Sequence, residues 1–204
     1  FTDSPGMYFE AIHYKIEEEK MAVIIQEVVG HEFNGKFYPH ISGVAHSYNY
    51  YPVAYMEPDD GVSVTAVGLG MYVAGGESAY RFCPKYPSIN STSLKDQIRE
   101  SQRHFYAIDM SRTTFDLVEQ GEDAAIRRYR IREGEADGTL DLCVSTYNME
   151  SDYLVPGMNM PGPRIVDFSN ILKYNAIPLA ETLRVLLKLF REAMGSPVEM
   201  EYAI

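Results

Sequence analysis

Residues 179–204 constrain this chain more than any other stretch. Apolar side chains fall at Leu179, Leu183, Leu186, Leu187, Phe190 and Met194, at intervals of three and four. That is the single buried stripe of an amphipathic helix. Gly195 follows where a left-handed C-cap is wanted, and Pro197 blocks resumption of the helix. Residues 198–204 then alternate as a strand does, with Glu199 and Glu201 pointing to one face. A buried helical stripe delivered straight into an alternating strand puts both in one packed unit. Two carboxylates on one strand face repel each other unless a cation or solvent lies between them. The chain stops at Ile204 in mid-strand, which reads as a boundary cut through a larger protein.

Upstream the pattern is mostly strand and turn. Ser4 as N-cap with Pro5 at the first helical position predicts a helix over residues 4–20. Residues 21–29, nearly continuous and β-branched, predict a well-buried strand with Gln26 and Glu27 as its polar interruption. Asn34-Gly35 predicts a tight turn, and residues 37–48 a returning partner strand. A loop over 50–60 follows, punctuated by Pro52, Pro58 and Asp60-Gly61. Further strands are predicted over 62–67, 78–82, 105–110, 139–147 and 164–168, with a short helix over 94–102 and mixed signals over 115–129. Hairpin-like strands, few helices and no repeated strand–helix unit predict an α+β fold with a largely antiparallel sheet.

Composition excludes several classes. At 204 residues the chain suffices for one large domain or two small ones. A net charge of -11 argues against a nucleic-acid surface and against binding to anionic membranes, although a local cluster can still hold a phosphate. Cys83 and Cys143 have no paired spacing, which argues against a disulfide framework or a structural zinc site. No apolar run reaches transmembrane length and the N-terminus lacks a signal-peptide pattern, so the expected compartment is cytoplasmic.

Few residues carry chemistry on pattern alone. Glu199 and Glu201 read either as solvated carboxylates on an edge strand or as a divalent-metal platform for phosphates, since Mg²⁺ takes a few carboxylates plus phosphate oxygens. Gly68-Leu69-Gly70 and Gly75-Gly76 after a strand fit a close-approach loop or simply a tight connection; they match neither the Rossmann nor the P-loop spacing. Arg81 is the cation near that loop. His31, His40, His46 and His104 show no helical pairing, though His40 and His46 are placed to share a strand face. Arg127-Arg128-Tyr129-Arg130 reads as a solvated basic face.

Four segments in order resemble one family. Residues 23–29 (VIIQEVV) are similar to the "V-x-V-Q-x-M-V" strand of phosphoenolpyruvate synthases and pyruvate, phosphate dikinases. Residues 42–49 (SGVAHSYN) resemble their "S-G-V-x-F-T-x-[DN]" strand, and residues 65–70 (TAVGLG) their "T-A-S-x-G-L-G-E". Residues 197–203 (PVEMEYA) resemble "P-x-D-I-E-W-A". The likeness spans roughly the first 82 residues and the last 34; residues of about 85–160 match nothing in it and read as an insertion.

The resemblance implies an incomplete ATP-grasp nucleotide-binding domain of a larger multidomain phosphotransferase. Such a parent uses ATP and Mg²⁺ to phosphorylate a histidine on a separate domain, and then passes the phosphoryl group to pyruvate. It implies Glu199 and Glu201 as the acidic pair holding metal and nucleotide, Arg81 as the cation on phosphate, and Gln26 and Glu27 near the adenine. No catalytic residue is expected within the fragment, which alone should be inactive; homodimerisation is compatible with the reading. The departures are Met71 at the family's glutamate, Tyr72-Val73-Ala74-Gly75 for "V-V-x-G", and His46-Ser47 for "F-T". They motivate the alternative of a degenerate nucleotide-binding or regulatory module without catalysis.

Overall fold

A computed structural model describes residues 22–204 apart from 91 and 122. The expected helix over 4–20 lies outside the described residues. The architecture is α+β, with antiparallel sheets and few helices.

Residues 22–30 have no regular secondary structure, and Val23, Ile24 and Ile25 are exposed. The predicted buried strand is therefore not formed over its described part. A β-branched run becomes a strand only when a neighbour takes its backbone groups, and among the described residues none does. At Gly30 the chain crosses the backbone of Tyr38 so closely that a Cβ would come within 2.6 Å of its carbonyl carbon.

Strands β1 (His31–Phe33) and β2 (Lys36–Tyr38) form a hairpin. Its turn is Asn34-Gly35, both at positive φ (50° and 75°), as a mirror-image turn requires. The predicted strand over 37–48 is broken at Pro39, which has no N–H for a ladder. β2 and β3 (Ser42–His46) consequently enter different sheets. β4 (Val62–Ala66) is followed by α1 (Met71–Ala74), β5 (Tyr80–Phe82), α2 (Leu94–Glu100) and β6 (His104–Asp109). Then come α3 (Leu117–Gln120), β7 (Ile126–Arg130) and α4 (Ile131–Asp137). β8 (Val144–Asn148), β9 (Tyr153–Pro156) and β10 (Arg164–Val166) complete the middle of the chain. α5 (Ser169–Leu172), α6 (Leu179–Met194) and β11 (Glu199–Ala203) end it.

Among the described residues three antiparallel sheets result, ordered β1-β2-β6-β7, β10-β8-β9 and β11-β3-β4-β5. In the first, Phe33, Tyr38, Phe105 and Tyr129 stack in sequence with centroids 4.7 to 5.8 Å apart. The basic run lies on β7, where Arg127 meets Asp109 at 2.9 Å and Arg128 meets Glu77 at 3.0 Å.

α6 packs its buried Leu179, Leu183 and Leu187 into a core that also holds Ala45 of β3 and Phe82 of β5. Each such leucine contributes on the order of 1.5–3 kcal/mol. Gly195 ends the helix in the left-handed conformation at φ 68°, as its position predicts. Helix and terminal strand are where the periodicity puts them, but the expected stripe is buried only as far as Leu187: Phe190 and Met194, on the last turns, are exposed.

Candidate functional site

The four-stranded sheet β11-β3-β4-β5 has two unlike faces. On one, Met200 of β11 lies in register with Ala45, Ser63 and Phe82 and packs toward the core under α6. The next row, Tyr202, Gly43, Thr65 and Tyr80, points the same way. The intervening residues face away from the helix. They form the row Glu201–Val44–Val64–Arg81, with Glu199 opposite His46 one row along.

Three of the residues expected to form a site thus share one face, although they lie about 120 positions apart in the chain. Strand spacing puts Glu201 and Arg81 about 14 Å apart at Cα, separated by the half-buried valines 44 and 64. Glu199 and Glu201 are both exposed. Glu199 Oε2 lies 3.3 Å from His46 Nδ1. Arg81 donates from Nη2 to Asn49 Oδ1 at 2.6 Å. Gln26 and Glu27 sit in the exposed segment before β1, and among the described residues nothing brings them to this face.

Sequence reasoning missed the residues that hold the face in place. Tyr202 Oη shares hydrogen bonds with Thr65 Oγ1 at 2.5 Å and Ser63 Oγ at 2.9 Å beneath the terminal strand. The signal was present: polar residues two apart on the buried side of a strand need a polar partner. Asn49 closes the 42–49 segment, whose family resemblance implies no role for it. The side chain of Gln102 bridges the end of β4 to β6, accepting from Val67 N and donating to Val67 O and His104 O.

Gly68 serves a tight connection between neighbouring strands. Gly68 lets the chain pass β6 so closely that a Cβ would lie 2.7 Å from Tyr106 O; Leu69 N donates to that oxygen. The histidine expectation fails for His40, which lies between β2 and β3 rather than on β3. Its ring centroid is 6.5 Å from that of His31. Burial, and secondarily the His31 charge, lowers the His40 pKa.

Among the described residues no group of three or more His, Cys, Asp and Glu converges as a metal cage. Glu199 and Glu201 do not fit an ion that draws all its ligands from protein. They fit Mg²⁺ of the kind that takes one or two carboxylates and completes its octahedron with phosphate and water. Among the described residues two grooves also open, the second beside Arg81. One of about 710 Å³ runs between the second half of α6 and the 57–61 turn. Its Arg191 and Lys85 are already neutralised by Asp59 and Asp60. The other, about 260 Å³, runs past Arg81 to Gln102 and the buried Asp167.

No curated protein and no solved structure matches the chain at a significant level. A family model does, and it covers residues 1–204: the AMP/ATP-binding domain of pyruvate phosphate dikinase. The fold class and the ligand class implied by the four segments accord with it, an α+β domain of ATP-grasp type that binds an adenine nucleotide. The chain belongs to the pyruvate phosphate dikinase AMP/ATP-binding domain family.

Proposed function

We propose that the face carrying Glu199, Glu201 and Arg81 binds the phosphates of ATP for a phosphotransferase of the phosphoenolpyruvate synthase/dikinase type. The observation that carries this is the row Glu201–Val44–Val64–Arg81, which sets a cation and a carboxylate at opposite ends of one apolar strip. Arg81 compensates phosphate charge from one side. Glu201, with Glu199 beside it, offers the carboxylates that would hold Mg²⁺; that ion would neutralise charge on the transferred group. Gln26 and Glu27 belong to the adenine side of the same proposal.

Phosphoryl transfer asks the protein mainly for positioning and charge neutralisation. The acceptor histidine belongs to a separate domain of the same larger chain, with pyruvate as the final acceptor and residues 85–160 as an insertion. A cytoplasmic setting and a homodimer are consistent with this reading.

Calorimetric titration with ATP, with and without Mg²⁺, tests it. Arg81→Ala should weaken binding roughly tenfold in either condition. Glu201→Gln should weaken it by a similar factor only when Mg²⁺ is present. Unchanged affinity in both variants overturns the assignment.

Met71 favours a second reading, nucleotide binding without catalysis. It opens α1 where the family has a carboxylate, and a thioether cannot hold Mg²⁺. Tight ATP binding with no phosphoryl transfer to a supplied histidine domain would establish that reading.

A further inference from the structure

Arg81 is not among the ion-paired arginines of the chain. Arg99, Arg127, Arg128, Arg164, Arg184 and Arg191 each meet a carboxylate within 3.0 Å. Among the described residues Arg81 meets none; its hydrogen-bond partner is the neutral carboxamide of Asn49 at 2.6 Å.

Asn49 is itself fixed from three sides. Its side chain is buried, at 2% exposure. Its Oδ1 also accepts from Tyr51 N at 3.0 Å, and its own N–H donates to Pro58 O at 2.7 Å. One rigid oxygen therefore holds one edge of the guanidinium, and among the described residues no other hydrogen bond engages the remaining donors of its planar fork. A neutral acceptor orients the arginine without cancelling its charge. A carboxylate in the same place would orient it equally well and compete with any anionic ligand.

We propose that Asn49 is the positioning residue of Arg81, fixing the guanidinium through their 2.6 Å hydrogen bond with its charge undiminished for a phosphate ligand. The phosphate part rests on the nucleotide reading above; the positioning part does not. Two measurements on the full chain separate them.

The first needs no ligand: ¹⁵N relaxation of the Arg81 Nε–Hε group. An ordered guanidinium in the parent chain and a mobile one in Asn49→Ala is the expected result. Equal mobility in both overturns the positioning role.

The second is a titration with ATP, and with inorganic tripolyphosphate as the probe lacking a base. Asn49→Asp keeps both acceptor functions, so the thermal midpoint should stay within a degree or two while affinity falls about tenfold. In an Arg81→Ala background the same substitution should lose most of that effect, the coupling expected of residues acting as one unit. An Asn49→Asp chain that binds as the parent does overturns the proposal alone. A parent chain that binds neither probe overturns the nucleotide reading, and with it the phosphate part of the proposal; relaxation still decides the positioning part.

Discussion

At Gly43 the missing side chain decides what Tyr202 can do. A Cβ there would lie 2.5 Å from both the Tyr202 hydroxyl and Val64 O, one a side chain held from beneath and the other backbone. With glycine the phenol crosses β3 and reaches Thr65 and Ser63 on β4. Burial pushes its pKa up, against the two hydroxyl contacts that lower it, so it serves as a neutral group. This cluster clamps β11, and with it Glu199 and Glu201, to the sheet. Tyr202→Phe should cost about 1 kcal/mol, the usual net value of such hydrogen bonds. Gly43→Ala should cost more, about 2–3 kcal/mol, because it both overpacks the site and displaces the phenol. Urea denaturation of the two variants checks the order. A Gly43→Ala chain as stable as the parent would show that Tyr202 moves aside freely.

Among the elements, α6 shows a helix end governed by backbone conformation alone. Gly195 adopts φ 68° and a Cβ there would meet nothing within 4 Å, so its cost is purely conformational. Gly195→Ala should lower stability by about 1 kcal/mol, and Gly195→Asn by less, since asparagine tolerates the left-handed region better. Paired thermal unfolding curves read that difference directly. The segment before β1 teaches the opposite lesson. Val23, Ile24 and Ile25 have every local preference for a strand, yet none of the described strands lies beside them. Propensity is a preference for a pleated, half-buried surface, and without a neighbour there is no such surface.

For the whole molecule, titration reveals what burial has done. Asp167 is buried against Ser145 and Ser169, and desolvation raises its pKa despite the hydrogen bonds those serines donate. A raised folded-state value means the native chain holds this proton more tightly than the unfolded chain. Its contribution to stability is therefore present at low pH and is lost as pH rises from the ordinary carboxylate value through the folded one. Asp167→Asn should remove that downward component, so parent and variant stability curves should diverge as pH rises above about 4. Parallel curves would show that Asp167 ionises normally. The terminal helix, its glycine cap, the Asn34-Gly35 turn and the alternation of Glu199 and Glu201 are all legible in the sequence. Each rests on interactions within a few residues, and α+β architecture follows from their spacing. Asn49 with Arg81, Tyr202 with Thr65, and the row from Glu201 to Arg81 join positions 32 to 137 residues apart. Strand partners and register decide those meetings. A strand carries no local mark of which neighbour it will choose, and a shift of one residue turns every side chain to the other face. The sequence by itself determined the elements and the charges available; only the tertiary structure decided which carboxylates share a face with an unneutralised arginine.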